Sequence, residues 1–291
     1  MNELGGRRLL PAPTLREGPQ ISMSSNLGLI FDKYSGQLEC DGDRLKFDKK
    51  VAKDCIKKAG PVPGALDPGA KERLKAVREA IAALALKAGG CAREYVTDGP
   101  FVTGLGIETP LENGMALHPT LGVPYLPGSG VKGMVRAFAE LWADPRPAED
   151  DVARIFGPRL DGAGAKGVEA KAGSIVFFDA LPHEHVRVEE DVMTPHYQDY
   201  YQSGAAPGDW LNPNPIPFFV VPGGVCFTFA LAPRRRPAPG GGGPAPGRGP
   251  AKRHEDGLKD LGLVCGWLED ALAFLGAGAK TKSGYGRFKR A

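Results

Sequence analysis

The chain has 291 residues, 42% hydrophobic and 24% charged, which is enough apolar side chain to bury a core and excludes a wholly disordered protein. Lys and Arg number 37 against 34 Asp and Glu, a formal charge of +3, so overall charge does not mark a nucleic-acid binder and a basic surface must come from local clustering. The five cysteines, Cys40, Cys55, Cys91, Cys226 and Cys265, show no C-x-x-C spacing, which argues against a zinc knuckle or a disulfide framework and for reduced thiols.

Residues 1–25 are rich in Pro, Gly and Ser and read as a flexible arm. They carry Arg7, Arg8 and Arg16 but no apolar stretch, so no secretory signal is expected. No apolar run approaches the roughly 18 residues of a membrane helix. The expectation is a soluble, cytoplasmic protein with no membrane partner. Residues 26–95 read as a helical N-terminal extension, with short helices around Val51–Ala59 and a longer one over Lys71–Lys87. In that helix Leu74, Val77, Ile81 and Leu84 keep a 3/4 rhythm behind Pro68-Gly69.

The remaining 96–291 reads as one core. A strand is predicted over Pro100–Ile107 and a short extended piece over Val123–Leu126. A helix follows over Val131–Trp142, with Val131, Met134, Val135, Phe138 and Leu141 on one face, then a short helix over Asp150–Phe156. Ser174–Asp179 and Val186–Val192 read as two strands across a turn. Ile216–Val221 and Val225–Leu231 read as a hairpin through Pro222-Gly223-Gly224. Residues 232–254 form a Pro/Gly/Arg tract with six basic residues and no acid, read as a flexible insertion. Gly257–Leu275 is the strongest helical pattern, and Tyr285–Arg290 a closing strand. The order strand, helix, strand, strand, helix, strand is that of an α+β, ferredoxin-like (RRM-like) fold. Sheets of this kind often bind single-stranded RNA on their open face.

Three segments carry chemistry. Gly128, Ser129 and Gly130 lead through Val131 and Lys132 to Gly133 and into a helix that also carries Arg136. Glycines admit a phosphate closely and a helix N-terminus offers free N–H groups. A dinucleotide site does not fit, because Pro124 and Pro127 bracket the preceding extended piece and no acid-ended strand follows at the right distance. The segment Gly276–Phe288 contains Lys280, Thr281, Lys282, Ser283, Tyr285 and Arg287 and no acid. Lys280-Thr281 is no P-loop, since too little chain remains for its helix. Basic groups with interleaved aromatics suit RNA; a turn with core aromatics is the alternative. Asp191–Val221, crowded with Tyr and Pro, reads as an ordered segment packed on the chain itself or on a partner.

His118 precedes the first glycine-rich loop and suits an RNA contact, a general base or a hydrogen-bonded structural role. His183 and His185 follow Pro182 without a Cys or third ligand nearby, and read as a solvated turn rather than a metal site. There is no nucleophile elbow, no H-E-x-x-H and no compelling carboxylate pair, so no catalytic residue, metal or cofactor is assigned.

Together, the run Gly104–Gly114, the run His118–Arg136 and the closing Gly276–Phe288 resemble the RAMP superfamily of CRISPR proteins. The middle block, beginning at Asp191-Val192-Met193-Thr194-Pro195-His196, is similar to the sixth RAMP subunits of type III-B (Cmr) effector complexes. The resemblance implies a non-catalytic, RNA-binding ribonucleoprotein subunit in antiviral defence. It would hold the 3′ part of the CRISPR RNA at the end of the complex. Its partners would be the CRISPR RNA, target RNA, the backbone RAMP subunit, the small helical subunit and the capping RAMP subunit. The RNA-binding residues would be those named above in the two glycine-rich segments, with His118. Some RAMP proteins instead cleave repeat RNA without metal, and His118 with Lys132 or Tyr285 would serve that alternative.

Overall fold

The computed structural model describes residues 38–41, 44–47, 68–109, 113–159, 171–195, 198–204, 206, 208, 213–234 and 250–291. The arm at 1–25, the helices expected around 51–59 and most of the 232–254 tract lie outside the described residues. Within the stretch expected to be helical, β1 (Leu38–Asp41) and β2 (Arg44–Phe47) pair antiparallel. Helix α1 (Pro68–Lys87) follows, as its spacing predicts, but it buries Leu74 and Ala85 with part of Ile81, while Val77 and Leu84 are exposed.

The first strand of the central sheet is β3 (Cys91–Thr97), not the expected Pro100–Ile107. Tyr95 and Thr97 face inward and are buried, whereas the chain beyond turns at Gly104, where φ is +70°. Phe101 and Val102 are buried by loop packing, and Phe101 makes only a single bridge to Val221. Helix α2 (Gly128–Leu141) and the short α3 (Glu149–Phe156) come next. Then follow β4 (Ile175–Phe177), β5 (Leu181–Pro182), β6 (Glu189–Met193), α4 (Gln198–Ser203), β7 (Ile216–Val220) and β8 (Cys226–Pro233). Helix α5 (Pro250–Phe274) and β9 (Phe288–Arg290) complete the chain.

The central sheet runs in the order β4-β8-β3-β9, with β5 also on β8, and every pairing is antiparallel. Both expected hairpins are corrected: β4 pairs with β8 rather than with the 186–192 stretch, and β6 pairs with β7, which does not pair with β8. The deciding factor is which apolar face each strand can bury. Phe218 and Val220 of β7 close over Val102, while Phe227 and Phe229 of β8 enter the main core. Pro222–Gly224 is therefore a corner between two sheets, and the Gly224 N–H donates to the Thr97 C=O at 2.8 Å.

One face of the sheet carries α2 and α5. Tyr95, Phe227, Phe229, Leu231 and Phe288 meet Val131 and Val135 from α2 and Val264, Leu268 and Leu272 from α5. Helix α3 is tied to α5 by a polar clasp: Asp260, 1% exposed, accepts from Arg154 and from Ser174 Oγ at 2.7 Å. Cys91 of β3 and Cys265 of α5 are free thiols with sulfurs 2.9 Å apart. The other face is not left open. Ala85 of α1 packs on Ala230 and Ala232 of β8, with Ile81 and Ala92 beside them, the small side chains letting the helix sit close. No helix among the described residues is long and apolar enough to cross a membrane.

Candidate nucleic-acid interface

The two glycine-rich segments are joined through intervening backbone. Ala279 N–H donates to Val102 C=O, Ala116 N–H to Thr103 C=O, and Tyr125 N–H to Ala116 C=O. Thr103 Oγ1 also donates to Tyr125 C=O at 2.8 Å, and Leu126 and Pro127 then lead into α2. The two segments therefore lie apart, with 101–103 and 115–126, buried or half-buried except at Pro119 and Thr120, between them.

At the first segment, the Gly128 N–H donates to Asp179 Oδ1 at 2.7 Å. A carboxylate already sits where the helix end would attract a phosphate. A Cβ on Gly128 would lie 2.3 Å from the Phe177 C=O, so this glycine is needed for packing against β4. Ser129 and Gly130 are exposed. Lys132 has no acidic partner among the described residues; burial, then Arg136 and Arg234, push its pKa down. Arg136 is committed to the fold: Nε donates to Glu140 at 2.8 Å and Nη1 to Gly157 C=O at 3.1 Å. Hydrogen bonds from Arg159 and Arg136 outweigh burial and hold the Glu140 carboxyl below its ordinary range.

His118 organises a turn. Its Nδ1 accepts from the Leu121 N–H at 3.3 Å, its N–H donates to Val123 C=O, and its ring meets Tyr125 edge-on. Burial lowers its pKa, opposed by Asp179. Asp179, which the sequence did not single out, is thus the acid shared by Gly128, His118 and Tyr125.

The second segment folds as a compact loop. Ala277 N–H donates to Gly286 C=O, and a 3₁₀ turn spans Thr281–Ser283. Gly278, at φ +81°, approaches Val102 so closely that a Cβ would lie 2.0 Å from its carbonyl oxygen. Lys280 adopts the left-handed region at φ 57°; its ammonium lies 4.8 Å from the centre of the Phe218 ring and 2.6 Å from Met193 Sδ. Tyr285 O–H donates to Asp191 Oδ2 at 2.6 Å, and its ring meets Phe218 edge-on. That hydrogen bond, then burial, pushes the Tyr285 pKa up to about 12. Arg287 Nη1 donates to Ala273 C=O at the end of α5. Thr281 is half-buried, and Lys282 and Ser283 are exposed at the tip.

The three sequence blocks meet here. The β6–β7 hairpin of the middle block supplies Asp191, Met193 and Phe218 to the second loop, and Asn113 Nδ2 donates to Pro217 C=O at 2.9 Å from the first block. Of the residues predicted from sequence, Lys132, Lys282, Ser129 and Ser283 offer free or exposed polar groups, and Lys280 is half-buried over Phe218. Arg136, Tyr285 and Arg287 have internal partners. His183 and His185 do not form a solvated turn: His183 Nε2 lies 2.9 Å from Thr228 Oγ1, and His185 Nε2 lies 3.2 Å from Leu121 C=O.

Comparison with known proteins gives a consistent picture. A CRISPR system Cmr subunit Cmr6 from Pyrococcus furiosus is 32% identical over 246 residues, 67% of this chain and 66% of that relative. A Cmr6 subunit from Saccharolobus solfataricus is 28% identical over 134 residues, 44% of this chain and 40% of the relative. The match thus spans just under two thirds of the first relative's length and less of the second's. A chain in the cryo-EM structure of a type III-B Cmr-beta complex bound to cognate target RNA aligns with a TM-score of 0.55 at 20% identity. It covers 84% of this chain and 71% of that one, a likeness of fold. The RAMP superfamily model matches residues 94–289, the span that holds the sheet, both glycine-rich segments and the β6–β7 hairpin; the chain belongs to the RAMP superfamily.

Proposed function

We propose that this chain is a non-catalytic RNA-binding subunit of a type III-B CRISPR effector ribonucleoprotein, working in the cytoplasm. In this reading it holds the 3′ part of the CRISPR RNA at the end of the complex, beside backbone, small helical and capping subunits. The observation that carries the reading is the similarity to Cmr6 subunits, with both glycine-rich segments inside the matched region. The fold reading is ferredoxin-like: β3, α2, β4, β8, α5 and β9 follow one another in that order, and the sheet order β9-β3-β8-β4 fits it. The core then begins at Cys91, with the preceding residues as its extension.

RNA would run from Lys132 past the exposed turn at Pro119 and Thr120 to Lys280 and Lys282. Helix α1 covers part of the sheet face that RRM-like proteins use, which favours this loop route. The endonuclease alternative is disfavoured by the partners of its candidates. His118 Nδ1 is engaged by Leu121, Tyr285 by Asp191, and no described hydrogen bond joins either to Lys132. The test is ultraviolet crosslinking of the assembled complex to CRISPR RNA, with the crosslinked peptides mapped. Crosslinks within 115–136 and 276–288 are expected; their absence from both segments overturns the RNA path. Incubation of the purified chain with repeat RNA in EDTA should give no cyclic-phosphate ends.

A further inference from the structure

We propose that Glu94, His183 and Cys226 form a binding site for a divalent cation of the zinc class, on the sheet face that carries α1. Three separate segments are locked together there by backbone pairing. Glu94 of β3 stands opposite Thr228 of β8, and Cys226 lies two residues before Thr228 on the same strand. Tyr95 and Phe227 point into the main core, so their neighbours Glu94, Cys226 and Thr228 point to the other face. His183 follows Pro182, which pairs with Phe227, and the His183 N–H donates to the Cys226 C=O at 2.9 Å. Arg78 of α1 donates to the His183 C=O at 2.9 Å and fixes that backbone from the helix side.

The side chains converge as the backbone requires. His183 Nε2 lies 3.4 Å from Glu94 Oε1, and the donor atoms of Glu94, His183 and Cys226 all lie within 4.8 Å of one another. Bonds of about 2.0–2.3 Å in a tetrahedral zinc site put neighbouring donors roughly 3.3–3.7 Å apart. The His–Glu spacing already fits, and a side-chain rotation of the exposed Glu94 and of Cys226 closes the rest. A thiolate, an imidazole and a carboxylate together suit zinc, cobalt or a similar ion, whereas magnesium and calcium take oxygen ligands alone. Thiolate and carboxylate supply two negative charges against the two positive charges of the ion, and binding releases the thiol proton. The Thr228 hydroxyl, 2.9 Å from His183 Nε2, gives up that nitrogen to the ion and is then placed to hold a water in the fourth position. The sequence hides this group, because His183 and Cys226 are far apart along the chain and become neighbours only through β5 and β8.

The experiment uses the full chain, stripped with a chelator and titrated with Co²⁺. One equivalent should produce a thiolate-to-cobalt charge-transfer band with the strong visible bands of tetrahedral cobalt, and Zn²⁺ should displace both. Cys226→Ser should abolish the charge-transfer band. His183→Gln and Glu94→Gln should each weaken Co²⁺ binding by about ten-fold or more. Cys91→Ser should leave the band unchanged. Glu94 is exposed, so Glu94→Gln reads the site without a folding defect, and circular dichroism confirms folding of each variant. A folded wild-type chain that gives no thiolate band overturns the proposal. So does a band that survives Cys226→Ser, or one that is lost with Cys91→Ser.

Discussion

The phenol of Tyr285 donates to Oδ2 of Asp191 across 2.6 Å and fastens the second glycine-rich loop to the β6–β7 hairpin. Tyr285→Phe keeps the ring on Phe218 and removes only this bond, so we expect a loss of about 1–2 kcal/mol in denaturant unfolding. The tyrosine's pKa is raised to about 12, so the bond's contribution is full below its ordinary value of 10. It is lost as pH rises from there to about 12. Wild type should lose stability over that alkaline window and Tyr285→Phe should lack that part of the loss.

The cations divide into Lys132 and Lys282, with no acidic partner among the described residues, Lys280, resting on Phe218 and Met193, and those bound to internal oxygens. Neutralising Lys280 and Lys282 together should flatten the log-affinity against log-salt slope for CRISPR RNA by about 1–1.5 units, at about 0.7 per single-strand phosphate contact. Lys132→Ala should weaken RNA retention by about 1–2 kcal/mol without moving the melting temperature. Arg136→Ala should lower the melting temperature as well, because it frees the Gly157 carbonyl and leaves Glu140 to Arg159 alone. Equal melting temperatures for the two variants would show that Arg136 is not structurally committed.

Glycines of the first loop separate by what stands next to them. Gly128→Ala forces a methyl onto the Phe177 carbonyl and should cost roughly 1–3 kcal/mol. Gly133→Ala, also in α2, meets nothing within 4 Å and should stabilise by up to about 1 kcal/mol. Chemical denaturation of the two variants checks the opposite signs.

Asp260 is buried between Arg154 and Ser174. Asp260→Ala leaves Ser174 Oγ without its acceptor and the part-exposed guanidinium with Asp151 alone, and should destabilise by about 1–3 kcal/mol, read by denaturant titration. Asp151→Ala removes only the more exposed partner of Arg154 and should cost about 1 kcal/mol or less.

His118 has its pKa lowered by burial, so the unfolded chain binds its proton more readily than the folded one. Stability from this group is present above its ordinary value of 6.5 and is lost as pH falls through the lower folded value. His118→Asn retains a turn acceptor and cannot titrate, so its melting temperature should fall less than that of wild type between neutral pH and mild acid.

Helices α2, α3 and α5 were legible because their apolar residues keep the helical period, as Leu261, Cys265, Leu268 and Leu272 do. Strand β3 was not legible. It carries Arg93 and Glu94 mid-strand, and its inward signal reduces to Tyr95 and Thr97. Strand partners were misread because proximity in sequence suggests hairpins, whereas pairing followed the burial of Phe218 and Val220 on one side and Phe227 and Phe229 on the other. The glycine-rich loops were visible as composition. Their commitments were not: Tyr285 is held by Asp191, 94 residues away, and Arg287 by the last turn of α5. Arg136 stands four residues before Glu140 on one helix, a spacing that pairs them, yet its charge read as an RNA contact.

Helix α1 lies on an alanine strip made by Ala92, Ala230 and Ala232. A shortened chain starting at Cys91 keeps every strand of the central sheet yet exposes that strip as a flat, side-chain-poor ledge. Removing the N-terminal residues therefore opens an apolar surface that one molecule had sealed, and the shortened protein should aggregate through the back of its sheet.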